Sequence, residues 1–301
     1  MEYYSNLPDG LFTAALTPMN DDLSVNYAAL IKHINWLLNN GSNGICLLGT
    51  TGEANSFSVE ERIEIISKVI KAGIDPKVLL VGTGTCALPD TIRLTKYAVS
   101  KGVGGILMLP PFYYKDLTDA GILNYFRMVI DGVDDSRLRI YLYHFPKMTG
   151  VSFTLELTKK LIDSHPGIIV GMKDSGGEWQ RMQSIIEALP GFKLYTGTEK
   201  FLLNNLRHGG TGCISATFNA SIKQGAEVYN NWQNEDADEY QKRLTETRTR
   251  FEVTSFISGL KYLFVNWFDD KNWLNMRPPN ALPAKDIQEY LLRNLEKEDL
   301  I

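Results

Sequence analysis

The chain has 301 residues, 44% of them hydrophobic and 22% charged, with 31 basic against 35 acidic side chains and a formal net charge of −4. That is enough apolar material for one large domain or two modest ones, and the slightly acidic balance offers no broad basic field to hold nucleic acid or an anionic membrane. No apolar run approaches a bilayer span and the N-terminal MEYYSNLPDG lacks a basic-then-apolar leader, so a small-molecule partner and a cytoplasmic location are expected.

From the start to about residue 222, short apolar runs alternate with stretches of helical period, the pattern of βα units around a parallel sheet. In chain order the runs are GLFTAALTP, GICLLGTTG, KVLLVGTGT, GGILMLPPF, RIYLYHFP, GIIVGMKDS, KLYTGTE and TGCISATFN. Their near-continuous apolarity suits strands covered on both faces. Between the second and third lies SVEERIEIISKVIKAG, where Ser58 and Glu61 form a capping box and Ile63, Ile66 and Ile70 are expected to share the buried face. Between the third and fourth lies LPDTIRLTKYAVSKG, with Pro89 in its first turn and Gly102 past its last. Eight strands with interleaved helices in this length predict a closed (β/α)8 TIM barrel over residues 1–222, an open doubly wound sheet being the alternative. Beyond it the strand pattern stops, and residues 223–301 read as a C-terminal helical appendage in which Tyr262, Phe264, Trp267 and Phe268 pack at helical spacing.

Cys46, Cys86 and Cys213 are scattered and form no CxxC pair, so buried free thiols are expected rather than disulfides or a zinc site. His33, His144, His165 and His208 lack metal-ligand spacing, and neither a metal nor a cofactor is expected. GTGTCA at residues 82–87 matches a relaxed dinucleotide fingerprint. The acidic residue that should follow about 20 positions later is replaced by VGGILML, and nucleotide binding is rejected there.

Active sites of (β/α)8 barrels lie at the C-terminal ends of the strands. Read together, those ends offer GTTGE, PPFYY, YHFP, KDS and CIS. A lysine desolvated at such an end has its ammonium form disfavoured, which leaves free amine to attack a ketone, so Lys173 is the expected nucleophile. The competing reading is a structural lysine paired with its neighbour Asp174. Schiff-base chemistry needs proton transfers that the Tyr143 phenol can relay. Gly49, Thr50 and Thr51 offer close backbone approach, amides and hydroxyls suited to a carboxylate.

Together these residues resemble the dihydrodipicolinate synthase and N-acetylneuraminate lyase family of class I pyruvate-dependent aldolases. The resemblance runs from FTAALTP to RPPNALP at residues 277–283 and rests on the GTTGE loop, the paired tyrosines after a proline, the Tyr-x-x-Pro strand end and the lysine of the sixth strand. It implies that Lys173 forms a Schiff base with pyruvate, Tyr143 is the general acid and base, and Thr50 relays protons. Thr51 and the backbone around Ile214 would hold the pyruvate carboxylate. A tyrosine from the adjacent subunit would complete the relay, Tyr113 or Tyr114, with alignment from the proline favouring Tyr113. The family also implies a homo-oligomer, a dimer or tetramer.

The departures bear on the second substrate. Synthases of this family carry an arginine two residues after the Tyr-x-x-Pro proline, where this chain has Met148, with Lys147 just before it. Lysine one position off is not an equivalent bidentate clamp. The sialic-acid lyases prefer a serine in the Gly-Thr loop, and His144 stands where asparagine is common, a candidate contact for the aldehyde portion or a structural hydrogen-bonding group. The leading expectation is a lyase joining pyruvate to, or releasing it from, a small aldehyde or a 2-keto-3-deoxy acid. The alternatives are a genuine 4-hydroxy-tetrahydrodipicolinate synthase with Lys147 in place of the missing arginine, and a non-catalytic keto-acid-binding barrel. A metal-dependent aldolase is disfavoured by the absence of a ligand cluster.

Overall fold

The computed structural model describes residues 9–301; the N-terminal stretch in which a leader was sought lies mostly outside them. Eight parallel strands close on themselves in sequence order: β1 (Gly10–Ala14), β2 (Gly44–Leu47), β3 (Leu79–Gly82), β4 (Gly105–Met108), β5 (Ile140–His144), β6 (Ile169–Asp174), β7 (Lys193–Thr196) and β8 (Gly212–Ser215). β8 returns to pair with β1 through Phe12 and Ile214. Each strand falls inside one of the eight apolar runs, and the expected (β/α)8 TIM barrel is the fold observed. None of the described helices is long and apolar enough to cross a membrane.

Alternation along the strands sorts the core into two layers. Phe12, Ala14, Cys46, Leu80, Leu107, Tyr141, Tyr143, Val170, Tyr195 and Ile214 fill the barrel interior. Their neighbours Leu11, Ile45, Leu79, Ile106, Ile140, Met172 and Leu194 face the ring of helices. The helix Val59–Lys71 starts with the expected capping box, Ser58 accepting from the Glu61 N–H while the Glu61 carboxylate accepts from the Ser58 N–H. Its buried face differs from the expectation: it is Arg62, Ile65, Ile66 and Val69, with Ile63 and Ile70 at its margins. Arg62 takes an inward position because its guanidinium donates to the Gly82 carbonyl at the end of β3, 2.8 Å away.

The helix Phe218–Asn231 packs on β1, and the C-terminal helices Ala237–Phe251, Phe256–Phe268 and Lys285–Asn294 follow it. Phe251, Leu260, Leu263, Phe264, Trp273 and Leu291 build a separate apolar cluster with Leu16 and Ala220 of the barrel. Of the aromatic residues expected to pack there, Phe264 is buried, Tyr262 and Trp267 lie against the cluster, and Phe268 stays 44% exposed. The three cysteines are free, Cys46 and Cys213 buried and Cys86 half-buried.

Candidate active site

At the C-terminal mouth of the barrel lies a cavity of about 650 Å³ whose walls include Thr50, Thr51, Tyr143, Lys147, Lys173 and Arg248. Four of the residues expected at the site, Lys173, Tyr143, Thr50 and Thr51, are brought together here. Tyr143 and Lys173 are partners across the β5–β6 ladder, and the Lys173 Nζ sits 4.5 Å from the centre of the Tyr143 ring. Both are buried.

Lys173 reaches the interior because β6 is irregular. Ile140 pairs with Ile169, but the next residue, Tyr141, pairs with Gly171, so Val170 is an extra residue. Val170 faces inward, Gly171 yields its side-chain space to the Tyr141 ring, Met172 faces the helices and Lys173 faces inward again. A bulge re-aims the side chains that follow it by one position. A regular β6 keeping Val170 inside would turn Lys173 toward the helices.

Asp174 consequently points outward, where its carboxylate accepts from the Arg181 guanidinium and from the Gly176 N–H at 2.8 Å. It is not the partner of Lys173. Burial disfavours the Lys173 ammonium, as expected, but the Tyr143 oxygen and the Cys46 and Cys213 sulfurs favour it, and the balance lies above the ordinary lysine value. Burial pushes both thiols up, so at neutral pH they carry protons and add no negative charge. A phenol beside an amine can pass one proton between them without changing the charge of the pair, so free amine is reached without expelling a proton to solvent.

Thr50 and Thr51 open the turn after β2, and neither hydroxyl has a partner among the described residues. Gly49 lines a narrow recess with Thr50 and Tyr143. The turn is held from outside by Glu53, in a left-handed conformation at φ 57°. Its buried carboxylate accepts from the Lys261 Nζ at 2.5 Å and from the Arg277 N–H at 3.2 Å. Lys261 is fully buried on the helix Phe256–Phe268 and also donates to the Asn275 carbonyl at 2.8 Å. The C-terminal helices thus clamp the Gly49–Glu53 turn, a role sequence reasoning missed because the partners are 208 residues apart.

Ile214 lies with its side chain in the barrel interior, so only its backbone is suited to a ligand near the mouth. His144 is not brought to the cavity. Its position one residue after inward-facing Tyr143 turns it outward, where its Nδ1 accepts from the Phe153 N–H at 3.2 Å. Burial and the nearby Arg181 hold its pKa down at about 3, so it is a neutral structural acceptor. Tyr113 is 74% exposed, packed edge-on against the equally open Tyr114, and does not line its own chain's cavity. No group of His, Cys, Asp or Glu suited to holding a metal occurs among the described residues.

Arg248, Lys200 and Glu252 line the rim, and the sequence did not single them out. Arg248 donates to Glu199 at 2.9 Å and to the Ser215 hydroxyl at 3.0 Å, while Lys200 pairs with Glu252 at 2.6 Å. Lys147 lines the cavity with no ion-pair partner among the described residues, and Met148 points to solvent. Ser175, Thr254 and Ser255 are hydroxyl-bearing residues of the wall, whereas the Thr198 hydroxyl is enclosed.

The chain is similar to known proteins over nearly its whole length. A sequence model of the dihydrodipicolinate synthetase family matches residues 7–297. An uncharacterized DapA-like lyase of Chloroflexus aurantiacus is 37% identical over 288 residues, 95% of each chain. A 4-hydroxy-tetrahydrodipicolinate synthase of Heliobacterium modesticaldum is 34% identical over 72% of this chain and 70% of its own. Among solved structures, YagE of E. coli K12, a prophage protein of the dihydrodipicolinic acid synthase family in complex with pyruvate, superposes with a TM-score of 0.87. It is 27% identical, over 97% of this chain and 99% of its own.

Proposed function

The chain belongs to the dihydrodipicolinate synthetase family and is a carbon–carbon lyase of that kind, and from that premise we propose that it works through a Schiff base between Lys173 and pyruvate. The observation that carries this reading is the placement of Lys173 and Tyr143 as inward-facing neighbours, with Asp174 turned away and tied to Arg181. The pyruvate bound to the E. coli relative supports the choice of keto acid.

In the reaction proposed, the Lys173 amine attacks the keto carbon, and Tyr143 moves the proton from nitrogen to oxygen so that water leaves and an iminium forms. Loss of a methyl proton gives the enamine, which adds to the aldehyde carbon; cleavage runs the same steps backwards. Thr50 relays protons between Tyr143 and solvent, while the Thr51 hydroxyl and the amides around Gly49 and Ile214 hold the carboxylate. Exposed Tyr113 is suited to entering the cavity of a second copy, which makes a homo-oligomer, dimer or tetramer, part of the reading. Free cysteines suit a cytoplasmic protein.

A three-carbon acid occupies only part of a cavity of about 650 Å³. The hydroxyl-bearing wall and the unpaired Lys147 favour a hydroxylated aldehyde, so that the joined compound is a 2-keto-3-deoxy acid. Borohydride reduction in saturating pyruvate should add a lactyl-sized mass to Lys173, and failure to find it would sink the mechanism. A kcat/KM panel should then favour 2-keto-3-deoxy sugar acids over the condensation with aspartate semialdehyde.

A further inference from the structure

A second cavity, of about 220 Å³, lies between the helix Tyr27–Asn39 and the C-terminal helix Phe256–Phe268, and shares no lining residue with the mouth of the barrel. Trp36, Phe264, Phe268 and Trp273 are the aromatic residues of its wall, beside His33. The rings meet edge to face, Phe264 with Trp273 at 4.9 Å and with Phe268 at 5.3 Å, and they fix the shape of the space. An apolar cavity of about 150 Å³ accommodates benzene, so this one has room for a fused bicyclic ring.

One polar atom distinguishes it from a packing defect. His33 stacks on Trp36 and meets the edges of Phe264 and Trp273, and its Nε2 lies 2.8 Å from the Asn219 Oδ1. The Asn219 amide is fixed in orientation, because its Nδ2 donates to the Ala14 and Ala216 carbonyls while its Oδ1 also accepts from the Leu16 N–H. Its Oδ1 is therefore an acceptor, and the His33 Nε2 must carry the proton. Burial holds His33 at about 4, so the ring is neutral and Nδ1 keeps a lone pair. Nδ1 has no partner among the described residues and is not one of the fully enclosed polar atoms, which leaves it open to the cavity. The remaining charged residues of the wall, Lys32 and Asp270, are of opposite sign and give the space no preference for an ion.

We propose that this cavity is a binding site for a neutral, planar aromatic molecule of about indole size carrying one N–H or O–H donor, which would hydrogen-bond to the His33 Nδ1 while its ring packs among the tryptophans and phenylalanines. The site is independent of the Lys173 chemistry. Its occupant packs against aromatic rings and is bound rather than transformed.

The test uses the full chain with indole as probe and benzofuran, the same shape without the donor, as comparison, each titrated by ligand-observed NMR and calorimetry. Two variants change the wall: Ala29→Leu fills part of the space, and Phe268→Ala removes a half-exposed wall residue. The wild type should hold indole about fivefold more tightly than benzofuran, the value of one hydrogen bond. Each variant that retains its circular dichroism spectrum should lose about tenfold. Equal affinity for the two probes, no saturable indole binding, or undiminished binding in a folded variant would overturn the proposal.

Discussion

Lys261→Met keeps the apolar stem of the side chain and deletes its charge, leaving the buried Glu53 carboxylate with the Arg277 N–H and the Asn280 amide as its donors among the described residues. At a separation of 2.5 Å and an effective dielectric near 20, the lost attraction is roughly 6–7 kcal/mol. Part of it only offsets desolvation, because burial keeps Lys261 below the ordinary lysine value although Glu53 pulls it up. Removing the amine alone should therefore destabilise the fold by about 3–5 kcal/mol. Removing both charges, in Glu53→Gln with Lys261→Met, should cost less than Lys261→Met by itself. Urea unfolding followed by circular dichroism, arranged as a double-mutant cycle, measures both. Because Glu53 closes the turn that carries Thr50 and Thr51, Lys261→Met should also raise the pyruvate KM while borohydride trapping at Lys173 survives at saturation. A loss below about 1 kcal/mol, or a double variant less stable than the single, would show that the pair does not hold the turn.

Tyr143→Phe should lower kcat by about 10²–10⁴-fold while leaving the trapped Lys173 adduct detectable after long incubation; steady-state kinetics beside mass spectrometry separates the two. Tyr113→Phe should reduce kcat only if copies associate, so dilution of the wild type below its dissociation constant should reproduce the defect. Gly171→Ala would place a methyl 2.5 Å from the Lys193 carbonyl and 2.6 Å from the Tyr141 ring. It should cost about 1–3 kcal/mol in urea unfolding and impair trapping at Lys173. His33, held at about 4 in the folded state, must be neutral to keep its place. The stability it contributes is full above the unfolded value near 6.5 and is lost as pH falls toward 4, at up to about 1.4 kcal/mol per pH unit. His33→Gln should flatten that part of the pH–stability curve.

The barrel was legible because the strands are buried on both faces, so burial wrote itself as eight short, near-continuous apolar runs. Lys173 and Tyr143 were legible because a charge or phenol closing such a run has no packing reason to be there. For His144 the sequence left an aldehyde contact and a structural hydrogen bond both open, since one residue of alternation separates the mouth from the helix layer and a single sequence does not mark the phase; the structure shows the hydrogen bond. The inner face of the helix Val59–Lys71 was misread for a related reason: Arg62 counted as polar, yet one hydrogen bond to Gly82 makes its burial tolerable. The Glu53–Lys261 pair and the Arg248–Glu199 contact join residues far apart in the chain, and no local pattern announces either.

The extra residue at Val170 has a consequence for anyone altering this protein. Shortening β6 by one position upstream of Met172, with every functional side chain left in place, would rotate the amine out among the helices and leave the flanking methionine and aspartate competing for the mouth. The Schiff-base chemistry proposed for Lys173 depends on whether a count is odd or even, and a deletion in that strand should abolish it as surely as losing the lysine itself.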